Sequence, residues 1–165
     1  MARYRILDEP APSTLSTWAV KPMWPLFAIM FAGAWLAFPW FAFNAFAIGS
    51  MGRYRQLAWA AGAFAGAGLL TALLALLAGA GVLAKGAVPY ALTVVIFWKL
   101  LCGYLLYAGQ DPSFELHQYA GGRARNGVFV VLVGAFFLRR LVGEWILRTF
   151  ADPPLLRAIA AQVLL

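Results

Sequence analysis

The chain has 165 residues, of which 64% are hydrophobic, 16% aromatic and only 12% charged, and its mean hydropathy is +0.79. Soluble domains carry about a quarter charged residues, and a fold of this length cannot bury so large a hydrophobic fraction in one core. This composition excludes a disordered chain and a coiled coil, and the single cysteine, Cys102, excludes an intrachain disulfide scaffold. The sequence predicts an integral membrane protein embedded in a lipid bilayer.

The charge balance is basic, with 13 Lys and Arg against 6 Asp and Glu and a net charge of +7. The basic residues stand singly or in pairs, without the basic and aromatic surface that binds nucleic acid. In a membrane protein, such residues flank the helices on the cytoplasmic side and attract anionic lipid. We therefore expect no nucleic-acid partner.

Stretches without charge predict the membrane spans. Residues 22–52 and 56–84 carry no charged side chain, and each exceeds the ~20 residues that cross a bilayer core. The prediction is an all-α, four-transmembrane-helix bundle over residues 23–151, after a cytoplasmic N-terminal segment, 1–22. The four spans are expected at about 23–48, 57–83, 88–108 and 127–150.

Two shorter helices are expected at the membrane surface. Asp111 and Pro112 are typical of a helix start, which predicts a short interfacial helix in the third loop that ends at Gly121. Asp152 and two prolines precede the other helix, within residues 152–165, which is too short to cross a membrane.

The distribution of Lys and Arg suggests an orientation. The first residues, which contain Arg3 and Arg5 but also acidic residues and prolines, do not resemble a cleaved signal sequence. Four spans place both termini on one side, and the basic count predicts that this side is the cytoplasm, as in a bacterial inner-membrane protein. Two arginine pairs would then lie outside and oppose the rule.

Those arginine pairs stand in similar contexts before the second and fourth spans. Arg53 and Arg55 follow Gly52, and Arg123 and Arg125 follow Gly122. With four spans, both pairs lie on one membrane face. They either contact lipid phosphates or an anionic partner, or simply flank helix ends.

The first two spans contain packing features. Pro39 predicts a kink in the aromatic-rich first span, and Asn44 is positioned to satisfy a freed carbonyl or bond a neighbouring helix. Ala58, Gly62 and Gly66 recur at intervals of four residues in the second span and predict a close helix contact.

Charged residues inside the predicted spans are the main functional candidates. Lys99 lies near the middle of the third span, where an ionisable group is costly and usually faces the protein interior or water. Arg139, Arg140 and Glu144 lie in the fourth span. This set is interpreted as an intramembrane charge site, which either lines a pore or contacts a partner.

The fourth span admits two geometries. Arg140, Glu144, Arg148 and Asp152 form a ladder of alternating charge at intervals of four residues. Either the helix leaves the bilayer near Arg139, which the sequence favours, or it crosses fully and turns the ladder toward protein or water.

Residues that membrane enzymes need are scarce. No predicted span contains His or Asp, which disfavours haem ligation and aspartyl or Ser–His proteolysis. Asp111, Glu115 and His117 are too few for a convincing metal or acid–base site, and a surface helix explains them better. We expect no enzyme, no metal and no cofactor.

Two functional classes remain. The first is a non-catalytic accessory, regulatory or immunity-type subunit that packs against another membrane protein. The alternative is an oligomeric anion-selective channel or small transporter, a homo-oligomer that uses Lys99, Arg139 and Arg140 along its path.

Overall fold

The computed structural model describes residues 14–149, and every regular element in that range is helical, which confirms the all-α prediction. Short 3-10 helices cover Thr14–Trp18 and Lys85–Ala87, and a π-helical turn, Gly134–Leu138, joins the last two α-helices. The α-helices are α1 Met23–Phe31, α2 Ala34–Ile48, α3 Arg53–Gly79, α4 Val88–Tyr119, α5 Val128–Val133 and α6 Arg139–Thr149. The predicted C-terminal helix within 152–165 lies outside the described residues.

Helices α3 and α4 are long and apolar enough to cross a membrane, judged by length and composition. They have 27 and 32 residues, respectively, which correspond to about 40 and 48 Å of helix. They pack antiparallel, because Gln56 near the start of α3 contacts Gly109 late in α4, whereas Gly66 lies against Trp98.

Residues 23–48, expected as one span, form two antiparallel helices instead. The Val20 amide, just before α1, donates to Asn44 near the end of α2, at 3.0 Å. Trp24 and Trp40, sixteen positions apart in sequence, both border Gly127. These contacts define a helical hairpin, whose tip is Ala32 and Gly33 and whose base is residues 18–20 and 48–50.

The hairpin turns where the sequence has small residues. Gly33 adopts φ 103° and ψ 169°, a conformation open essentially to glycine. The amides of Ala32 and Gly33 both donate to the Ala28 carbonyl, which ends α1, and the Trp35 indole donates to the Ala32 carbonyl at 2.6 Å. Alanines 28, 32, 34 and 37 are completely buried, so the two helices approach closely.

A chain of buried amides attaches the hairpin to α4. Asn44 accepts from Val20 and donates from Nδ2 to Gln110 Oε1 at 3.2 Å. Gln110 in turn donates from Nε2 to the Phe41 carbonyl at 2.7 Å. Asn44 and Gln110 have no exposed surface, so each amide depends on the other for its hydrogen bonds.

The same contacts explain why the third-loop helix is not separate. Helix α4 continues through Pro112 to Tyr119, past the predicted end of the span at residue 108. Beyond that end, Gln110 bonds α2, the Ser113 hydroxyl lies 3.3 Å from Ser50, and Phe114 packs with the buried Ile48. Packing on the hairpin base therefore outweighs the helix-start signal at Asp111 and Pro112.

Helices α5 and α6 form one continuous helical rod with the π turn. Gly127, before α5, borders Trp24 and Trp40, and Gly134 borders Ala32 and Leu36, so the rod runs from the hairpin base toward its tip. Its 22 residues, from Val128 to Thr149, correspond to about 33 Å. Helix α6 extends beyond the tip.

The amide chain makes a direct stability prediction. Replacing Asn44 with Leu leaves the Val20 amide and Gln110 Oε1 without their partner, so unfolding free energy should fall by about 1–3 kcal/mol. Gln110→Leu should cost a similar amount. Because both changes disrupt one network, the double variant should lose less than the sum, as measured by reversible unfolding in detergent.

Thr93→Val is the control, since the Thr93 hydroxyl bonds only the Pro89 carbonyl of its own helix on an exposed surface. It should change stability by less than about 0.5 kcal/mol. Strictly additive losses at Asn44 and Gln110 would contradict the network.

Candidate functional site at the hairpin tip

Lys99 lies inside the protein and is only 1% exposed. It shares a buried face of α4 with Val95, Cys102 and Gly103. At Gly103 this face receives the side chain of Ile29 from α1 so closely that no Cβ would fit. Lys99 lies one turn from Gly103 in the direction of the hairpin tip.

Arg139 reaches the tip from the opposite element. Its Nη1 donates to the carbonyl of Phe31, the last residue of α1, at 3.2 Å. Close packing allows this reach, because a Cβ at Gly134, one turn earlier, would collide with Leu36. π-helical turns such as Gly134–Leu138 are often found at functional positions.

Two cations thus lie near the end of α1. A helix C-terminus carries partial negative charge, which favours a neighbouring cation such as Arg139. Lys99 lies one turn of α4 beyond the contact between Gly103 and Ile29, and Arg139 bonds Phe31, so both cations approach the end of α1. The structure therefore brings two of the four predicted charge-site residues to the same helix end, with Lys99 buried and the Arg139 hydrogen bond exposed.

The other two charge-site residues lie on the outside of α6. Arg140 Nε is 3.0 Å from Glu144 Oε1, and Arg148 Nη2 is 3.9 Å from Glu144 Oε2. The side chains of Arg140 and Arg148 are each 83% exposed, and that of Glu144 is 46% exposed. The described part of the predicted ladder is therefore exposed and separate from the tip, and Asp152 lies outside the described residues.

The small-residue stripe of α3 is largely outside the helix contact. Ala58 and Gly62 are exposed, and only Gly66 meets another helix, at Trp98 of α4. The Trp98 indole also donates to the Ala63 carbonyl at 3.1 Å. The buried stripe is offset from the predicted one and consists of Gln56, Ala60, Ala63, Ala67 and Thr71.

The arginine pairs lie where α3 begins and where α4 leads into α5. Arg53 lies over the rings of Phe46 and Tyr54, at 5.7 and 5.2 Å. Arg125 lies 4.2 Å from the Trp18 ring, and its amide donates to the Ala19 carbonyl at the hairpin base. Both segments adjoin the base, so the two pairs occupy one end of the bundle.

Two buried amides, Gln56 and Gln110, were not among the predicted site residues. Each is a single polar residue at the edge of an apolar run, which was the available signal. In the third-loop group, His117 is mostly buried and its ring tilts against Phe114, with Nε2 bonded to none of the described residues. Residues 14–149 contain no group of three side chains suited to a metal ion.

Comparison of the chain with protein families, with curated proteins and with solved structures found no match.

The Arg139 contact predicts a difference between adjacent arginines. Arg139→Leu removes a charged hydrogen bond to the Phe31 carbonyl and should lower unfolding free energy by about 1.5–3 kcal/mol. Arg140→Leu removes only an exposed pair and should cost less than about 1 kcal/mol. Both variants introduce the same apolar side chain, and leucine forms helices as readily as arginine. Equal losses in thermal unfolding would contradict a specific role for Arg139.

Proposed function

We propose that the chain is a non-catalytic integral membrane protein that acts by packing against another membrane protein, as an accessory, regulatory or immunity-type subunit. One observation carries the proposal: α6 exposes its charged ladder beyond the hairpin tip. Exposed charges are expensive in hydrocarbon and are normally covered by protein or water.

The depth of the ladder follows from helix lengths. The hairpin tip lies about 20 Å from its base, which is the length of α2. Arg139 contacts that tip, so Arg140 and Glu144 lie farther across a hydrocarbon core of about 30 Å. This position favours the full-crossing geometry of the last span over early emergence. Arg140, Glu144 and Arg148, the described part of the ladder, carry two positive charges and one negative charge. A partner helix that presents a carboxylate would complement the excess positive charge.

The hairpin also changes the proposed topology. Helix α1 has 9 residues, about 14 Å, and cannot cross the bilayer, so the hairpin enters and leaves on one side. Three crossings then remain, namely α3, α4 and the α5–α6 rod. The hairpin base and the end of α6 consequently lie on opposite sides of the membrane, in place of the four-span arrangement with both termini inside.

This topology reduces the conflict with the basic-residue rule, although Lys85 and Arg148 fall on the opposite side. Lys21, Arg53, Arg55, Arg123 and Arg125 all fall on the side of the hairpin base. That side is therefore assigned to the cytoplasm of a bacterial inner membrane. The arginine pairs, which opposed the rule in the four-span arrangement, now support it.

A channel or small transporter is the second candidate. The two cations at the hairpin tip favour it, because cations near a helix break can form an anion site. This candidate is secondary because the Lys99 side chain is only 1% exposed and is therefore enclosed by this chain. Lys99→Met should leave anion flux across proteoliposomes at baseline, and a change in flux would favour the channel.

The proposed topology predicts the side of the membrane from which each single-cysteine variant is labelled, with Cys102 replaced by alanine in every variant. Met51 and Tyr119, both well exposed, should react with an impermeant thiol reagent from the side that carries an N-terminal tag. Val82, in the α3–α4 connection, should react only from the opposite side. A single span over 23–48 would put Met51 on the side opposite the tag. Labelling of the Met51 variant from that opposite side would therefore contradict the hairpin topology.

The partner is predicted to depend on the ladder. Native mass spectrometry of gently extracted protein should show a different protein at fixed stoichiometry. Arg140→Gln with Arg148→Gln should reduce its recovery at least tenfold, because the complementary charge is lost. Arg53→Gln with Arg123→Gln removes as many charges at the other end and should retain it. A ring of identical copies, or equal loss in both variants, would contradict the proposal.

A further inference from the structure

An open groove runs along the outside of α3 and α4, from the loop before α3 to Trp98. It consists of three adjoining cavities of about 260, 270 and 390 Å³, all bordered by Arg55. The first cavity contains four polar side chains in its lining, Ser50, Arg55, Gln56 and Ser113. The last is bordered by aromatic and small residues.

Polar groups converge at the end of the groove near α3. An atom placed at the Cβ position of Gly52 would lie 3.8 Å from Gln56 Nε2, 3.9 Å from Arg55 Nη2 and 4.0 Å from Ser50 Oγ. Ser113 Oγ is a further 3.3 Å from Ser50 Oγ. Together with the positive end of the α3 dipole, these groups favour an anion.

Gln56 supplies a second, independent sign of a ligand. Its side chain is 7% exposed and borders two of the three cavities. Nε2 donates to Ser50 Oγ at 3.2 Å and to the Gly109 carbonyl at 3.3 Å, which fixes the orientation of the amide. Oε1 then has no donor among the described residues. Oε1 has almost no accessible surface, so a small donor such as a hydroxyl group reaches it when the Gln56 side chain shifts toward the adjoining cavity.

The other end of the groove suits a hydrocarbon chain. Ala58 and Gly62 form its floor on α3, and Trp59 and Trp98 form its walls. No atom lies within 4 Å of a Cβ built at Gly62, so the space above it is open. The small residues that the sequence predicted as a helix contact thus line this groove.

We propose that this groove binds one anionic glycerophospholipid whose headgroup carries a hydroxyl, such as phosphatidylglycerol. Arg55 and the start of α3 hold the phosphate, a headgroup hydroxyl donates to Gln56 Oε1, and an acyl chain lies over Ala58 and Gly62. Choline headgroups have no N–H or O–H donor and leave Gln56 unsatisfied. The position of Arg55 beside the hairpin base matches the depth of lipid phosphates.

The test measures binding to the full-length, delipidated protein in detergent. Phosphatidylglycerol, phosphatidylcholine and glycerol phosphate, each with matched concentrations, are titrated and counted by native mass spectrometry. Phosphatidylglycerol should bind one copy at least tenfold more tightly than phosphatidylcholine. Glycerol phosphate should bind much more weakly, because it lacks the acyl chain. Equal binding of the two lipids, or of glycerol phosphate and phosphatidylglycerol, would overturn the proposal.

Paired variants test the two ends of the groove. Arg55→Leu should weaken phosphatidylglycerol binding at least tenfold, whereas Arg53→Leu, which loses the same charge outside the cavities, should stay within twofold. Gly62→Leu should fill the groove and block the lipid, whereas Gly86→Leu, also in open space, should not. Equal loss within either pair would overturn a defined site.

Gln56→Leu tests the headgroup contact by selectivity. It removes the acceptor, so the preference for phosphatidylglycerol over phosphatidylcholine should fall, while the part of the preference that comes from the charge of Arg55 remains. Since selectivity compares two lipids on the same protein, a change in folding alone does not alter it. An unchanged preference would overturn the role of Gln56.

Discussion

The hydrogen bonds of Asn44 and Gln110, one of which joins the two side chains, are the interaction on which the arrangement of the other elements depends. They join the hairpin to α4 and, through Val20 and Phe41, hold both arms of the hairpin base. In an apolar environment no water competes for these amides, so breaking one leaves several groups unsatisfied. The position of the base then sets the depth of the tip.

The hairpin tip joins the elements in the middle of the fold. The last carbonyls of a helix need donors from outside that helix. Here the Trp35 indole donates to the Ala32 carbonyl and the Arg139 guanidinium donates to the Phe31 carbonyl. The hydrogen bond of Arg139 and the burial of Lys99 favour a structural role for these cations over a pore.

Length and hydropathy were enough to predict the all-α fold and the two long helices. They could not reveal the hairpin, because residues 23–48 are apolar on every side and periodicity therefore carries no information about a break. Pro39 predicted a kink, yet α2 continues through this residue. The turn occurs instead at Gly33, the only glycine in that segment.

The sequence was enough to identify candidate site residues by their chemical type, but it did not show which residues they contact. Lys99 and Arg139 stood out as charges in apolar runs, but only the fold shows that they meet at one helix end. Ala58, Gly62 and Gly66 have the spacing of a helix contact, yet α4 packs on a stripe offset from it, since Gln56, Ala60 and Ala63 face inward. Spacing identifies a face, and three-dimensional packing decides which element covers it.

The antiparallel hairpin is the central claim, and one distance tests it directly. Spin labels at Lys21 and Phe43, in a Cys102→Ala background reconstituted in lipid, should be separated by little more than two packed helices, whose axes are about 8–10 Å apart. A single continuous helix would instead separate these positions by about 33 Å. A short measured distance is the predicted result, and the long one would contradict the hairpin and the topology built on it.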